Sequence, residues 1–493
     1  MASRRRWSLL VLILCFSLLA TAEEIRVTIL HINDLYEITP VAGGKEGGMA
    51  RLATLRAELL RQNRNTYMIL AGDAISPSVL GTALVDGRPI AGAQMVAMLN
   101  AVGLDYATFG NHEFDFNQDV LMTRIRESRF PWFSGNVRQA DGEPFPGVRQ
   151  NVVFTVDGSQ GGHVRIGLIG VTLDDNKKSW VKYNDILQTA REQVTNLRGQ
   201  GVDVVVAVTH ETYAQDVELA NKVPGIDLII GGHEHENIEV FRGPSFVPIL
   251  KADANLRSAY VHYLVYDTET KKLKIDSHLV RLNESVAQDP AIAKLAEDWS
   301  EKGFAAFRKN GFNPTEVIAN SPDTLEGKDA QTRNRPTNLS DAIAAAFLHA
   351  FPQAEAAFFN TGSIRIDDDL PAGPITQYDV LRVLPFGGKM VLTEMKGSLL
   401  TKILNIGRDN KGSGGYLAVA NLAKDASGIW VIQGTPVDPN RTYKVATSDF
   451  LLTGREKNLG FLLPTNPEIS KVTDGPEVRM AVMKEFKSRW PAK

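Results

Sequence analysis

Cysteine is almost absent from this sequence: among 493 residues there is one, Cys15. A chain with a single thiol near its start forms no internal disulfide framework. The sequence also lacks an apolar run of the roughly 20 residues that a membrane-spanning helix needs. The formal net charge of -3 is close to balance, so bulk electrostatics do not indicate a nucleic-acid partner. Disulfide-rich, membrane-spanning and nucleic-acid-binding classes are therefore disfavoured.

The first 22 residues have the pattern of a cleavable export signal. Arg4-Arg5-Arg6 is basic, Leu9 to Ala20 is apolar, and Ala20-Thr21-Ala22 has the small residues of a cleavage site. We expect cleavage before Glu23 and a secreted or periplasmic protein without a thiol. A membrane anchor is the alternative, but the apolar core has only about a dozen residues. Residues 487–493 are polar, so we expect no lipid-anchor tail and no stable membrane attachment.

The length of 493 residues indicates more than one domain. Apolar strand patterns alternate with helical patterns up to about residue 280, which predicts a layered α/β domain. Residues 287–309 form a helical pattern between two differently patterned sections, so a connecting helix is preferred to an ordinary core helix. The predicted boundaries are a signal peptide at 1–22, a first domain at 23–285, a linker helix at 286–312 and a second domain at 313–493.

Five apolar runs in the first domain each end in Asp, Asn or His. The runs lead into Asn33-Asp34, Gly72-Asp73, Gly110-Asn111, Thr209-His210 and Gly232-His233-Glu234-His235. Ligands of α/β sheets bind beyond the carboxyl ends of strands. One such residue usually caps a turn, but five in the same context predict a metal site. Carboxylate, amide and imidazole ligands without thiolate suit divalent Mn, Zn, Mg or Fe.

A two-metal hydrolytic site needs a carboxylate that bridges both ions, because two nearby dications repel each other. Asp73 is the predicted bridge. The two ions would make a hydroxide from water and hold the phosphoryl oxygens during displacement. His112 follows Asn111, and Asp115 can orient its ring, so this pair can stabilise charge or protonate a leaving oxygen. A histidine that only hydrogen-bonds a loop is the alternative.

In this order, the five segments resemble those of calcineurin-like dimetal phosphoesterases and, more narrowly, of the 5′-nucleotidase family. Gly110-Asn111-His112-Glu113-Phe114-Asp115 is the most specific match. The resemblance implies a four-layer α/β/β/α metallophosphoesterase domain followed by an α/β substrate domain. It also implies site roles: Asp34, Asp73 and His235 for one metal; Asp73, Asn111, His210 and His233 for the other; His112 and Asp115 as the catalytic dyad. The cofactors would be two divalent ions, Zn or Mn first, with Fe, Mg, Ca or Co as alternatives.

The second half resembles the nucleotide-binding domain of the same family. The resemblance implies that Asn360 and Arg365 contact base and substrate, that Arg333 reaches phosphate or ribose, and that Phe386 and Phe450 sandwich the base. Two flat rings offer stacking to a purine, and a guanidinium offers paired donors to phosphate. Core packing is the alternative for each Phe, and a solvated surface charge is the alternative for Arg333.

Two segments depart from the family pattern. Members commonly have Asp-x-His after the first strand, whereas this chain has Asp34-Leu35-Tyr36. A phenol is a poor ligand for Zn or Mn unless ionised, although phenolate suits ferric iron. We hypothesise that Tyr36 lies in the site and alters the first metal. The chain also has Gly454-Arg455-Glu456-Lys457-Asn458 in place of a glycine-rich segment whose Asp usually binds the ribose hydroxyls.

We therefore predict an exported hydrolase that removes phosphate from nucleotides by attack of a metal-activated hydroxide on phosphorus. Its partner would be a small nucleotide and not a nucleic acid, and its oligomeric state stays open. UDP-sugars or 2′,3′-cyclic nucleotides are alternative substrates. A metal- or nucleotide-binding protein with impaired catalysis is a further alternative. Because metals and substrate clamp lie in different domains, we expect domain closure near the linker helix to assemble the site.

Overall fold

A computed structural model describes residues 23–492 of the protein. The predicted signal segment and Cys15 lie outside these residues, so cleavage before Glu23 remains a prediction. Within the described residues, no helix has both the length and the apolar character that crossing a membrane would require.

The first domain alternates strands and helices along the chain. Its strands are β1 (Glu24–Ile32), β2 (Thr66–Ala71), β3 (Leu84–Val85), β4 (Arg88–Pro89), β5 (Tyr106–Thr108), β6 (Trp132–Phe133), β7 (Val137–Gln139), β8 (Val148–Arg149), β9 (Asn151–Asp157), β10 (His163–Thr172), β11 (Val181–Tyr183), β12 (Val204–His210), β13 (Leu228–Gly231), β14 (Ile238–Arg242), β15 (Val247–Lys251), β16 (Ser258–Asp267) and β17 (Leu273–Arg281). Its helices are α1 (Met49–Gln62), α2 (Ala93–Val102), α3 (Gln118–Glu127), α4 (Ile186–Gly199) and α5 (Tyr213–Lys222).

Two large sheets of this domain pack face to face. Between residues 23 and 285 one sheet has the order β17-β16-β1-β2-β5-β6-β8, and the other has the order β14-β15-β13-β12-β10-β9. Aliphatic side chains such as Ile29, Leu168 and Val206 fill the space between them. Helices α1 to α3 cover the outer face of the first sheet, and α4 and α5 cover that of the second. The predicted four-layer α/β/β/α arrangement is confirmed.

The pairing of the strands gathers their carboxyl ends. Strands β1, β2 and β5 are parallel neighbours in one sheet. Strands β10, β12 and β13 are parallel neighbours in the other. Because parallel strands end at the same edge of a sheet, the loops after β1, β2, β5, β12 and β13 meet at one end of the sandwich.

Helix α6 (Pro290–Lys309) connects the two domains. It begins at Pro290 because the Asp289 carboxylate accepts hydrogen bonds from the backbone N–H groups of Ala291 and Ile292. Its early residue Ala296 packs in the core of the first domain. Its last turn, with Phe307, packs in the core of the second domain. The helix is therefore shared by both cores, in the place predicted for a connecting helix.

The second domain is a layered α/β unit. Its strands are β18 (Val317–Ser321), β19 (Ala356–Asn360), β20 (Gly373–Thr376), β21 (Lys389–Lys396), β22 (Leu417–Ala420), β23 (Leu422–Lys424), β24 (Trp430–Ile432), β25 (Thr435–Pro436), β26 (Thr442–Ser448) and β27 (Ile469–Glu477). Its helices are α7 (Asp329–Thr332), α8 (Asn338–His349), α9 (Gln377–Val383), α10 (Gly397–Asp409) and α11 (Val478–Arg489). The sheet β22-β19-β26-β21-β27 has α8 and α11 on one face and α10 on the other.

Polar contacts join the domains beside the metal-ligand loops. The buried Arg382 Nε donates to Glu37 Oε1 at 3.1 Å across the interface. The backbone N–H of Ala42 donates to Asp368 Oδ2 at 2.8 Å. Both contacts tie the loop after β1 to the second domain, so that domain lies directly against the predicted metal site.

Candidate active site

The six residues predicted to hold metals lie together at the carboxyl edge of the sandwich. They are Asp34, Asp73, Asn111, His210, His233 and His235. His210 Nε2 is 3.1 Å from Asn111 Oδ1 and 3.2 Å from Asp73 Oδ2. His235 Nε2 is 3.4 Å from Asp34 Oδ1. The donor atoms of Asp34, Asp73 and His235 all lie within 4.8 Å of one another, which is a spacing that one cation can span.

One oxygen of Asp34 and one of Asp73 accept hydrogen bonds from the protein, and the other oxygen of each faces the site. Asp34 Oδ2 accepts from Asn33 Nδ2 at 2.8 Å and from the backbone N–H of His233 at 2.9 Å. Asp73 Oδ1 accepts from the backbone N–H of His112 at 2.8 Å. Asp73 Oδ2 then lies between Tyr36 Oη and His210 Nε2, at 3.0 and 3.2 Å. Asp73 therefore contacts His210 of one predicted ligand group, and a donor atom of Asp73 lies within 4.8 Å of those of Asp34 and His235 in the other.

The rings of His210 and His233 face the same space. His210 Nδ1 lies 2.8 Å from Ala71 O, so Nδ1 carries the proton and Nε2 faces the carboxylates. Burial alone would lower the pKa of His210, but Asp73 and Asp34 outweigh it and raise this pKa to about 9. Burial lowers the pKa of His233 to about 3, which keeps its ring neutral. An acidic pocket with carboxylate, amide and imidazole groups fits the implied metal pair.

The backbone at these loops is unusual. Asp34, Asp73, His233 and His235 all have positive φ, from 52 to 82°. Gly72 allows the loops to approach, because a Cβ there would lie 2.5 Å from the backbone nitrogen of Gly110. Left-handed conformations cost energy for most residues and concentrate at functional sites. The fold therefore holds these side chains in place by backbone geometry.

Glu113 supports the two loops, although it is not among the predicted site residues. Its buried carboxylate accepts from the backbone N–H groups of Asp73, Ala74, Ile75 and Gly110 at 2.6–3.1 Å. These contacts fix the loop after β2 against the loop after β5. Its place in the motif directly after His112 is the available signal, but the sequence does not distinguish a carboxylate that accepts from backbone N–H groups from one that binds a metal.

His112 and Asp115 form the predicted pair. His112 Nδ1 lies 2.8 Å from Asp115 Oδ2, which also accepts from Ser76 Oγ at 2.8 Å. Burial would lower the pKa of His112, but Asp115 and Asp73 outweigh it and raise this pKa above its ordinary value. Burial would raise the pKa of Asp115, but His112 and Ser76 lower it to about 2. The pair therefore favours an imidazolium oriented by a carboxylate.

A buried lysine lies behind the histidine loops. Lys251 is 0% exposed, and its Nζ is 2.8 Å from Asp216 Oδ2 and 2.8 Å from Gly232 O. It also donates to Glu211 O at 2.5 Å. These bonds connect the residue after His210 with the residue before His233. No sequence signal indicates this role, since a lysine at the end of an apolar strand usually faces solvent.

Two acidic residues of the second domain reach the first metal group. Asp367 Oδ2 lies 2.8 Å from His235 Nδ1, and Asp329 Oδ2 lies 4.0 Å from the same nitrogen. Asp367 is 4% exposed. Neither residue was among the predicted site residues, because both contacts cross the domain boundary. The run Asp367-Asp368-Asp369 after Arg365 was the only sequence hint.

The aromatic residues predicted to bind a base line a cavity of about 490 Å³ in the second domain. Phe386 and Phe450 are 58% and 42% exposed, so core packing does not explain either ring. The Arg365 guanidinium lies 5.7 Å from the centre of the Phe386 ring. Asn360, Arg365, Phe386 and Phe450 all line this cavity, in agreement with their predicted grouping.

A second cavity of about 620 Å³ lies between the domains. From the first domain it is lined by residues of the predicted site, including Asp73, Asn111, His112, His233 and His235. From the second domain it is lined by Arg333, Asn360, Arg365, Phe450 and Glu456, among others. Asn360, Gly362, Arg365 and Phe450 belong to both cavities, so the aromatic cavity opens towards the metal-ligand cluster.

Two contacts describe the wall where the cavities meet. Arg333 is paired with Asp329, so it is not a solvated surface charge and cannot turn without breaking an ion pair. Glu456 Oε2 accepts from Asn360 Nδ2 at 2.8 Å. Glu456 therefore brings a carboxylate into the wall from the segment that departs from the family pattern.

Two family profiles match the chain. The profile described as calcineurin-like phosphoesterase matches residues 27–237, and the 5′-nucleotidase C-terminal domain matches residues 317–461. Protein UshA of Yersinia enterocolitica is 28% identical over 490 residues, covering 87% of this chain and 85% of that protein. A 5′-nucleotidase of Diplobatis ommata is 26% identical over 557 residues, covering 100% of this chain and 93% of that protein. The structure of a 5′-nucleotidase precursor from Thermus thermophilus shares the fold, with a TM-score of 0.77 and 23% sequence identity. The match covers 95% of this chain and 97% of that one.

The match over residues 27–237 makes this protein a calcineurin-like phosphoesterase, a metal-dependent hydrolase of phosphoric esters. The second domain narrows the class. The chain belongs to the 5′-nucleotidase family.

Proposed function

We propose that this protein is a 5′-nucleotidase that releases phosphate from nucleoside 5′-monophosphates. One observation carries the proposal: an aromatic cavity for a flat base opens directly into the cavity that contains His112 and the predicted metal ligands. A nucleotide is a flat ring joined through a sugar to a phosphate. The base would lie between the aromatic rings, the sugar along the polar wall, and the phosphate at the cluster of predicted metal ligands.

The second domain would bind and orient the substrate. Phe386 and Phe450 would stack on the base from two sides, an interaction worth roughly 1–3 kcal/mol for each ring. Arg365 lines both cavities, which supports a role in which its guanidinium would donate paired hydrogen bonds to the phosphate. Asn360 lies in the shared wall between these groups.

The first domain would perform the hydrolysis. Asp34, Asp73 and His235 would hold one cation, and Asp73, Asn111, His210 and His233 would hold the other. Bound cations would supply Lewis acidity and a water made nucleophilic near neutral pH. His112, oriented by Asp115, would stabilise negative charge on the phosphoryl group or protonate the leaving oxygen. Zn or Mn suits the second group of ligands, which has one carboxylate, one amide and two imidazoles.

Export is part of the proposal. The basic, apolar and small-residue regions of residues 1–22 support cleavage and secretion or periplasmic delivery. The amino-terminal sequence of the purified mature protein tests this, since it should begin at Glu23.

Phosphate release from AMP tests the activity. The wild-type protein should release phosphate with Mn or Zn added, and a chelator should abolish the release. His112→Ala should lower kcat by about 10²–10⁴-fold, the usual contribution of a general acid or base. His278→Ala is the matched control, because His278 is exposed on β17, where it pairs with Asp276 and contacts the Tyr263 ring. Equal losses in both variants would contradict the role of His112.

A substrate panel separates the alternatives. UDP-sugars and 2′,3′-cyclic nucleotides also carry a base but present a different phosphate, so the aromatic cavity alone does not exclude them. Higher kcat/KM on either of them than on AMP would replace the monophosphate proposal. Tight nucleotide binding without turnover, in protein loaded with metal, would indicate a binding protein instead.

A further inference from the structure

The loop after β10 reaches the pair of His112 and Asp115 through one side chain, that of Asn176. Asn176 Nδ2 donates to Asp115 Oδ1 at 2.7 Å and to the backbone carbonyl of Asn111 at 3.0 Å. An amide nitrogen has two protons, so these two hydrogen bonds use both of them. Asn176 is not among the predicted site residues, because its two contacts span 61 and 65 positions of the chain.

The two acceptors lie at the ends of one short turn. His112–Phe114 is a single turn of 3₁₀ helix, with Asn111 directly before it and Asp115 directly after it. The backbone hydrogen bonds of this turn are long, since Phe114 N to Asn111 O and Asp115 N to His112 O are both 3.3 Å. Hydrogen-bond geometry in 3₁₀ turns is poorer than in α-helices. The Asn176 amide therefore joins the two ends of a turn that its own backbone holds weakly.

Asp115 is held through both of its oxygens. Its Oδ2 lies 2.8 Å from His112 Nδ1 and accepts from Ser76 Oγ at 2.8 Å. Its Oδ1 accepts from Asn176. The terminal torsion of an aspartate is broad, so a carboxylate bonded through one oxygen can rotate. The second bond, from Asn176, restricts the plane of the carboxylate that orients His112.

The loop that carries Asn176 packs against the motif that it contacts. The rings of Trp180 and Tyr183 lie with their centres 5.8 and 6.0 Å from that of the buried Phe114. Tyr183 Oη also donates to the backbone carbonyl of Asn176 at 3.3 Å. Asp175 lines the cavity of about 620 Å³ between the domains. The loop therefore has a fixed place at the edge of the space that the substrate would enter.

We propose that Asn176 is a positioning residue for the hydrolysis, whose amide holds Asp115 and the turn around His112 in the arrangement that the reaction needs. It acts on the ring of His112 through Asp115. The role needs a donor, because an aspartate at position 176 would offer no proton and would place a like charge beside Asp115. The inference rests on the proposed function because it concerns the same pair, and it assigns a role to a loop that the sequence pattern left out.

Steady-state kinetics of two variants test this inference, with AMP and p-nitrophenyl phosphate as parallel substrates. Asn176→Ala should lower kcat about 10–100-fold with little change in KM, because a misplacement of about 1 Å can cost about 100-fold in rate. Asn176→Asp keeps the size of the side chain but replaces the donor with a charged acceptor, so it should lose at least as much. A role in packing alone would leave Asn176→Asp close to wild type.

A double-mutant cycle tests whether Asn176 acts through Asp115. In an Asp115→Ala background, the further change Asn176→Ala should lower kcat by less than about three-fold, because the carboxylate that the amide positions is gone. Losses that multiply would show that Asn176 acts independently of Asp115. Thermal melts of the single and double variants check that each protein is folded.

Asn100→Ala is the matched control. Asn100 also joins two chain segments, since it donates to Glu127 O at 2.8 Å and accepts from the backbone N–H of Arg129 at 2.7 Å. It lines neither of the two cavities, so this variant should keep the kcat of wild type. Wild-type kcat in Asn176→Asp, multiplied losses in the cycle, or an equal loss in Asn100→Ala would each overturn the inference. A wild-type protein that hydrolyses p-nitrophenyl phosphate but not AMP would contradict only the proposed function.

Discussion

Replacing Asp367 with Asn removes a charge that the second domain places beside His235, in the first predicted metal site. The Asp367 carboxylate lies 2.8 Å from His235 Nδ1, and its other oxygen accepts from the backbone N–H of Asp329 at 2.8 Å. Asn has nearly the same shape and can keep the bond from Asp329. The substitution therefore changes the electrostatics of His235 with little change in packing.

The expected magnitude follows from how metal-bound histidines work. A carboxylate on the far ring nitrogen fixes the tautomer and strengthens the near nitrogen as a ligand, and its loss usually costs about 10–100-fold in metal affinity. That range equals about 1.4–2.7 kcal/mol of binding free energy. Asp367 is 4% exposed, so solvent does not replace the lost charge, and we expect the effect to fall inside this range.

A metal titration of the chelator-stripped protein measures the effect. Asp367→Asn should weaken the first site about 10–100-fold and leave the second site unchanged. Asp369→Asn is the control from the same loop, because Asp369 Oδ2 pairs with Lys328 Nζ at 3.0 Å and not with His235. Unchanged affinity in Asp367→Asn, or equal loss in Asp369→Asn, would refute the idea that the second domain strengthens the first metal site.

Three further substitutions test the substrate wall and the support of the site. Phe386→Ala should raise KM for AMP by about 5–150-fold, the equivalent of one lost stacking interaction, with kcat little changed. Glu456→Gln should lower the preference for AMP over 2′-deoxy-AMP about ten-fold, measured as the ratio of kcat/KM, because a charged acceptor for a ribose hydroxyl is lost. Lys251→Met should lower the free energy of unfolding by about 3–5 kcal/mol in denaturant melts, because the buried Asp216 loses its partner.

Each of these has its own control. Glycerol phosphate carries no base, so Phe386→Ala should hydrolyse it as wild type does. A KM for AMP that stays constant would mean that Phe386 does not stack on the base. If Glu456→Gln left the ratio of kcat/KM for AMP over 2′-deoxy-AMP unchanged, Glu456 would not contact the ribose. The double substitution Lys251→Met with Asp216→Leu should recover most of the lost stability, and failure to recover would assign the loss to packing.

The grouping of the predicted metal ligands could be predicted from the sequence, because its signal is local. Asp34, Asp73 and Asn111 each follow a strand closely, and parallel strands bring such residues to one edge whatever the details of packing. The four-layer order follows equally from alternating strands and helices. The order of the strands brings these residues together, and the apolar runs of the sequence already predict those strands.

Residues that act across long separations could not be predicted in this way. Asp367 meets His235 only because the domains dock, and docking depends on side-chain contacts such as Arg382 with Glu37. Lys251 looks like a strand end facing solvent until Asp216 is known to lie 2.8 Å away. Such pairs produce no periodic pattern in the sequence, because the two partners become neighbours only when the chain folds.

The left-handed backbone at four of the predicted ligand positions limits how this enzyme can evolve. Asp34, Asp73, His233 and His235 have φ from 52 to 82°, a region where Asp, Asn and His are enriched and branched side chains are outliers. The residue types that tolerate the conformation are thus the same types that bind metals. Exchange of one ligand for another is sterically permitted, whereas drift to Val, Ile or Thr is opposed by the main chain even after metal binding is no longer required.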